Sequence, residues 1–269
     1  MRAALIGAGT LAALYGLVVA ILFILQRWMI FPRDRTPPDL ARAPVLGIRP
    51  MTVTTSDGLS LESWYMPPAR EGGHVVLYLH GNAGNIGHRA YRLPHFDQRD
   101  WGVLLLEYRG YGGNPGAPSE AGLLIDARAG LAALQDMGFP AHRILLWGES
   151  LGTGLAVRLA VEQPVAAVLL EAPYTSLLGL AQKRYPFVPV KSLLLDHFDT
   201  ARYISAIRAP LLVMHGARDN IIPPDMGREI FAAAPDPKEL WIAPEAGHSD
   251  LIEAGAVEAA WDFVNRLER

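Results

Sequence analysis

From Ala3 to Leu25 the chain carries no charged side chain, and beyond Pro50 it breaks into short apolar runs separated by polar turns. In helical geometry the first stretch extends about 34 Å, enough to cross the hydrocarbon core of a bilayer. Trp28 and Phe31 lie beside Arg27, Arg33 and Arg35, the aromatic and basic flank of a membrane interface. A cleaved signal peptide has a shorter apolar core and a small-x-small cleavage site, so the pattern predicts an uncleaved single-pass anchor. Ala4, Ala8, Ala12, Gly16 and Ala20 recur every fourth residue, a small-residue stripe through which two helices can pair as a homodimer; an ordinary alanine-rich span reads the same way.

After the anchor, at 1–31, a Pro-rich juxtamembrane linker occupies 32–50, where Pro32, Pro37 and Pro38 favour extended backbone. The domain from 51 to 269 opens with alternating residues on either side of Ser56-Asp57-Gly58, a hairpin signature. Apolar runs at 74–79, 102–108, 143–147, 165–170, 210–215 and 239–243 then alternate with helical patterns. This is the rhythm of an α/β fold, a mostly parallel sheet of eight strands with helices on both faces. Tyr174 to Ala209 is longer than a simple crossover requires and rich in Leu, Val, Phe and Pro. It reads either as a small apolar cap within 174–209 or as helix packed on the sheet.

Composition narrows the chemistry. Net charge is −3 and no basic cluster marks a nucleic-acid surface. Absence of cysteine removes disulfides, thiol catalysis and Cys-based zinc sites, and the eight histidines have no metal-ligand spacing. Neither a metal nor a cofactor is called for. Arg27, Arg33, Arg35 and Arg42 follow the span while only Arg2 and the α-amine precede it, so the positive-inside rule favours a cytoplasmic domain.

The informative chemistry is Gly148-Glu149-Ser150-Leu151-Gly152, set between the apolar run 143–147 and a helical pattern from Thr153. G-x-S-x-G there makes a sharp strand-to-helix turn that presents the serine hydroxyl. Asp219 follows the strand ending at Gly216, and His248 lies in the loop after the last strand. All parallel strands end on one edge, so Ser150, Asp219 and His248 can converge there as nucleophile, orienting acid and base. The loop His80-Gly81-Asn82-Ala83-Gly84-Asn85 exposes backbone amides. With the N–H of Leu151, the N–H of Asn82 forms the expected oxyanion hole, Ala83 being the alternative donor. Glu171 is a rival for the acid at the same edge; Asp219 fits the usual order better. Glu149 is assigned a local polar contact, His80 a role in holding the oxyanion loop, Ser119 an N-cap, and Asp250 a helix cap.

Together with Glu107-Tyr108-Arg109-Gly110-Tyr111-Gly112 and Pro118-Ser119-Glu120, these segments resemble the α/β-hydrolases, and specifically the N-terminally anchored serine hydrolases of the Bem46 and ABHD13/ABHD17-like group. The resemblance implies an α/β-hydrolase fold with a small cap and a serine carboxylic ester hydrolase acting on small or lipid-derived acyl esters. An acyl-protein thioesterase is the alternative enzyme, and an anchored scaffold the alternative without catalysis. The expected partners are an acyl ester or lipid substrate and the bilayer, with no nucleic acid.

Overall fold

The structure, a computed structural model, describes residues 1–269 apart from the side chain of Ala3. Its strands are β1 (Arg49–Thr54), β2 (Ser60–Met66), β3 (Val75–Leu79), β4 (Gly102–Leu106), β5 (Ile144–Glu149), β6 (Ala167–Glu171), β7 (Leu211–Gly216) and β8 (Lys238–Ala243). They form one sheet in the order β1-β2-β4-β3-β5-β6-β7-β8, in which β2 alone runs against the others. This is the eight-stranded, mostly parallel sheet expected from the alternation of apolar runs.

Helices follow in chain order: α1 (Arg2–Ile30), α2 (Leu93–Asp97), α3 (Glu120–Asp136), α4 (Leu151–Glu162), α5 (Leu177–Arg184), α6 (Val190–Leu193), α7 (Thr200–Ile204), α8 (Pro224–Ala233) and α9 (Ala256–Leu267). The two-residue period of a strand sends alternate side chains to opposite faces. Leu77, Leu79, Leu146 and Leu170 therefore meet Leu131, Leu155 and Ile230 of α3, α4 and α8, while Val76, Tyr78, Trp147 and Leu169 meet Phe96, Val257 and Phe263 of α2 and α9. Central strands buried on both faces explain why their sequences read as continuous apolar runs. Ser119 caps α3 by accepting from the Gly122 amide at 3.1 Å, as its position before the helix predicts.

The segment between β6 and β7 divides its work. Thr200 and Ile204 of α7 are buried in the helical layer, whereas α5 and α6 project over the carboxyl edge of the sheet as a small cap. Helix α1 is long and apolar enough over Ala4–Ile30 to cross a membrane, and the small-residue stripe from Ala4 to Ala20 is exposed along it. Its last turns reach the folded domain, where Phe31 is buried against Phe198. The Pro-rich stretch that follows is packed down. Asp34 N–H donates to the Gly84 carbonyl at 3.0 Å, Gly84 N–H to Pro32 at 3.3 Å, and Gly112 N–H to Asp34 at 2.8 Å.

Candidate active site

Ser150 sits between β5 and α4 with φ 49° and ψ −114°, a left-handed conformation that a side-chain-bearing residue adopts only under constraint. The constraint comes from both sides. The Ser150 amide donates to the Glu171 carbonyl at 2.8 Å, and its carbonyl accepts from Thr153. Gly152 lies so close to β3 that a Cβ there would meet the Leu79 carbonyl oxygen at 1.9 Å.

From this turn the Ser150 hydroxyl lies 3.1 Å from Nε2 of His248, whose Nδ1 lies 2.7 Å from Oδ2 of Asp219. Asp219 Oδ1 accepts from the amides of Ile221 and Ile222, both at 2.8 Å. Burial alone would raise the Asp219 carboxyl. Hydrogen bonds from His215 and His248, the charge of His248 and the Ile222 amide overcome it and hold the group well below the usual carboxylate range. His248 reaches this position from the loop after β8. There Asp250 accepts from the Gly247 amide at 2.7 Å, while α9 begins only at Ala256. The expectation that Asp250 caps a helix is thus corrected: it closes the turn that carries His248.

Glu171 is not available to orient His248. Its carboxylate takes a bidentate bond from Arg92 at 2.7 and 3.0 Å and a third from the Trp147 indole at 2.9 Å, all in the interior. Glu149, the variable residue of the elbow, accepts from Tyr78 at 2.7 Å and from Arg89 at 2.9 and 3.1 Å. Burial would raise its carboxyl, but Arg92 and Arg89 hold it well below the ordinary range. Arg89 also donates to the Ala83 carbonyl. A lattice of two arginines and two glutamates, buried at Arg92 and Glu171 and partly buried at Arg89 and Glu149, therefore ties the elbow to the loop after β3. Arg89 and Arg92 lie in a short 3₁₀ turn over Ile86–Arg92 that offers no periodicity to read, so sequence reasoning missed them.

Asn82 is fixed from two directions. Its carbonyl accepts from the Tyr111 hydroxyl at 2.8 Å, and its side-chain amide donates to the Ile30 carbonyl at 2.7 Å. Two residues earlier, His80 bonds Glu107 at 3.0 Å and packs against Tyr108 in a tilted arrangement, with ring centroids 4.1 Å apart. Glu107 also accepts from the Ile86 amide, and Arg109 pairs with Asp57 and Asp126. The Glu107-to-Gly112 motif is thus the frame of this loop. Asn82 and Leu151 both line the cavity that holds Ser150 and His248. Leu151 is the first residue of α4, so its N–H has no acceptor within the helix.

The cavity measures about 820 Å³. Leu177, Leu180 and Val188 wall it from the cap, and Leu22, Phe23 and Gln26 from α1. The contribution of α1 has no counterpart in the sequence reading, because an all-apolar helix shows no contrast between a packed and a free face.

Sequence comparisons agree with this architecture. Residues 74–194 match the family described as alpha/beta hydrolase fold. A WAV2 protein of Arabidopsis thaliana, an alpha/beta hydrolase domain-containing protein, is 33% identical over 230 residues, 77% of this chain and 74% of its own. This chain is an α/β-hydrolase. An uncharacterized protein of Mycobacterium tuberculosis is 40% identical to this α/β-hydrolase over 237 residues, 87% of the chain and 84% of the relative. Among solved structures, the Pyrococcus furiosus esterase Pf2001 superposes with a TM-score of 0.71 at 20% identity, covering 88% of this hydrolase and 99% of that chain, a likeness of fold.

Proposed function

We propose that this α/β-hydrolase is a membrane-anchored serine carboxylic ester hydrolase of the Bem46 and ABHD-like type, acting on acyl esters through Ser150, His248 and Asp219. One observation carries the reading: the hydrogen-bonded line from Asp219 through His248 to Ser150 opens into a large, mainly aliphatic cavity. Asp219, ionised and bonded at Nδ1, keeps the His248 proton on that nitrogen and leaves Nε2 free to accept the serine proton.

Ser150 Oγ attacks the ester carbonyl carbon as its proton passes to Nε2. The carbonyl oxygen becomes an oxyanion stabilised by the N–H groups of Asn82 and Leu151. Collapse breaks the bond to the leaving oxygen, which takes the proton from His248 and departs as the alcohol. Water then attacks the acyl-enzyme by the same route, releasing the acid and restoring Ser150. Helix α1 supports anchoring through its uncharged length, with Arg27, Arg33 and Arg35 at the interface.

A fluorophosphonate probe and p-nitrophenyl butyrate test the assignment. The wild type is expected to label covalently and to turn over the ester. Ser150→Ala is expected to lose labelling and at least 10³-fold in kcat. Full activity in Ser150→Ala would refute it.

A further inference from the structure

Resting on that reading, we propose that α1 is a wall of the acyl-binding site, and that the substrate is an ester of a long-chain fatty acid whose chain lies between α1 and the cap. The residues that α1 turns toward the domain form a single stripe: Val19, Leu22 and Ile30 are partly buried and Gln26 is buried. Spacings of three and four residues place them on one face. Ile24 and Trp28, on the other face, are 75% and 76% exposed.

This stripe is clamped rather than merely adjacent. The Gln26 side chain accepts from the Leu195 amide at 2.8 Å and donates to the Leu193 carbonyl at 3.2 Å. Arg27 pairs with buried Asp196 at 2.9 Å, and the Tyr15 hydroxyl donates to the Phe187 carbonyl at 2.8 Å at the far end. A tether needs only to be connected. Burying a glutamine amide inside an apolar helix costs free energy unless its hydrogen bonds are met, and here they fix the register of α1 against the cap. The Ile30 carbonyl, bonded to Asn82, sets the near end beside Ser150.

From Ile30 to Val19 the helix rises about 16 Å, close to one leaflet of a hydrocarbon core about 30 Å thick. The opposite wall includes Leu177, Leu180 and Val188, so the space along α1 is mostly apolar over this length, with Gln26, its amide hydrogen-bonded to the cap, and Arg184 as polar members of the lining. It fits the extended chain of a membrane-lipid acyl group with its carbonyl at Ser150.

The test uses the full chain in detergent micelles, with p-nitrophenyl butyrate and p-nitrophenyl palmitate as probes. The wild type is expected to hydrolyse both. In Leu22→Trp the ratio of kcat/KM for palmitate to that for butyrate is expected to fall at least tenfold. Val19→Trp, farther from Ser150, is expected to lower it less and to spare p-nitrophenyl octanoate; Ile24→Trp, on the exposed face, is expected to leave it unchanged. Fluorophosphonate labelling of each variant shows that the site is folded. Wild-type turnover of butyrate alone, or a ratio in both Leu22→Trp and Val19→Trp no lower than in Ile24→Trp, overturns the α1 wall and leaves the serine esterase standing. Absence of turnover and of labelling in the wild type overturns both.

Discussion

Replacing Gly152 by alanine isolates the contact that sets the geometry of the elbow. The added Cβ would lie 1.9 Å from the Leu79 carbonyl oxygen, 2.6 Å from its carbon and 3.0 Å from the His80 oxygen. An unstrained carbon–oxygen contact needs about 3.3 Å, so the backbones must separate by about 1.4 Å. Leu79 cannot supply that movement, because β3 is paired with both neighbours, Leu79 with Leu106 and with Gly148. The start of α4 must move instead, carrying Ser150 and the Leu151 amide with it. Overpacking of this kind costs about 1–3 kcal/mol, which for a domain of this size lowers Tm by roughly 2–12 °C. A misplacement of about 1 Å at reacting atoms costs about 10²-fold, or about 2.7 kcal/mol in the barrier. Thermal melts followed by circular dichroism and p-nitrophenyl butyrate kinetics read the two effects separately. A Gly152→Ala protein with Tm within about 1 °C and kcat within about threefold of wild type would refute the claim that β3 fixes the position of Ser150.

Asp219→Asn keeps the shape of the acid but presents an amide to His248. The resulting change of imidazole tautomer is expected to lower kcat by about 10³–10⁴-fold with KM nearly unchanged, measured on the same ester. Arg92→Met leaves the Glu171 carboxylate buried without its bidentate partner; it is expected to destabilise by about 3–5 kcal/mol in urea titrations, part of which Glu171→Leu restores in the double variant. Glu149 is held ionised below the unfolded-chain value, so its stabilising contribution is complete above about pH 5 and is lost as pH falls through its lowered pKa. Melts from pH 7 to pH 2 should therefore show the gap between wild type and Glu149→Gln narrowing only as the solution becomes acid.

The sheet was legible because its central strands are buried on both faces and its turns carry glycine, proline or aspartate, so that each strand begins and ends within a few residues of an apolar run. The meeting of Ser150, Asp219 and His248 was legible for a topological reason: each follows a strand carboxyl end, and a parallel sheet gathers those ends along one edge. What stayed hidden depends on tertiary partners. Glu171 looked like a spare acid at that edge until Arg92 and Trp147 occupied it. Asp250 had the residue type of a cap, yet the chain makes further turns before α9. Gln26, at the end of an uncharged run, carries no local signal of the cap residues that meet it.

The pairing of Pro32 and Asp34 with Gly84, and of Asp34 with Gly112, decides how much of the chain can be removed together with the apolar helix α1. Removing the chain through Asp39 would strip main-chain partners from the loop between β3 and α2 and from the motif that follows β4. Removing it only through Ile30 would keep those pairings and forfeit the carbonyl that holds the Asn82 side chain. No cut falls cleanly between α1 and the site, and a protein shortened through Ile30 is expected to report on a site that has lost the Asn82 contact together with the bonds of Gln26 and Arg27 to the cap.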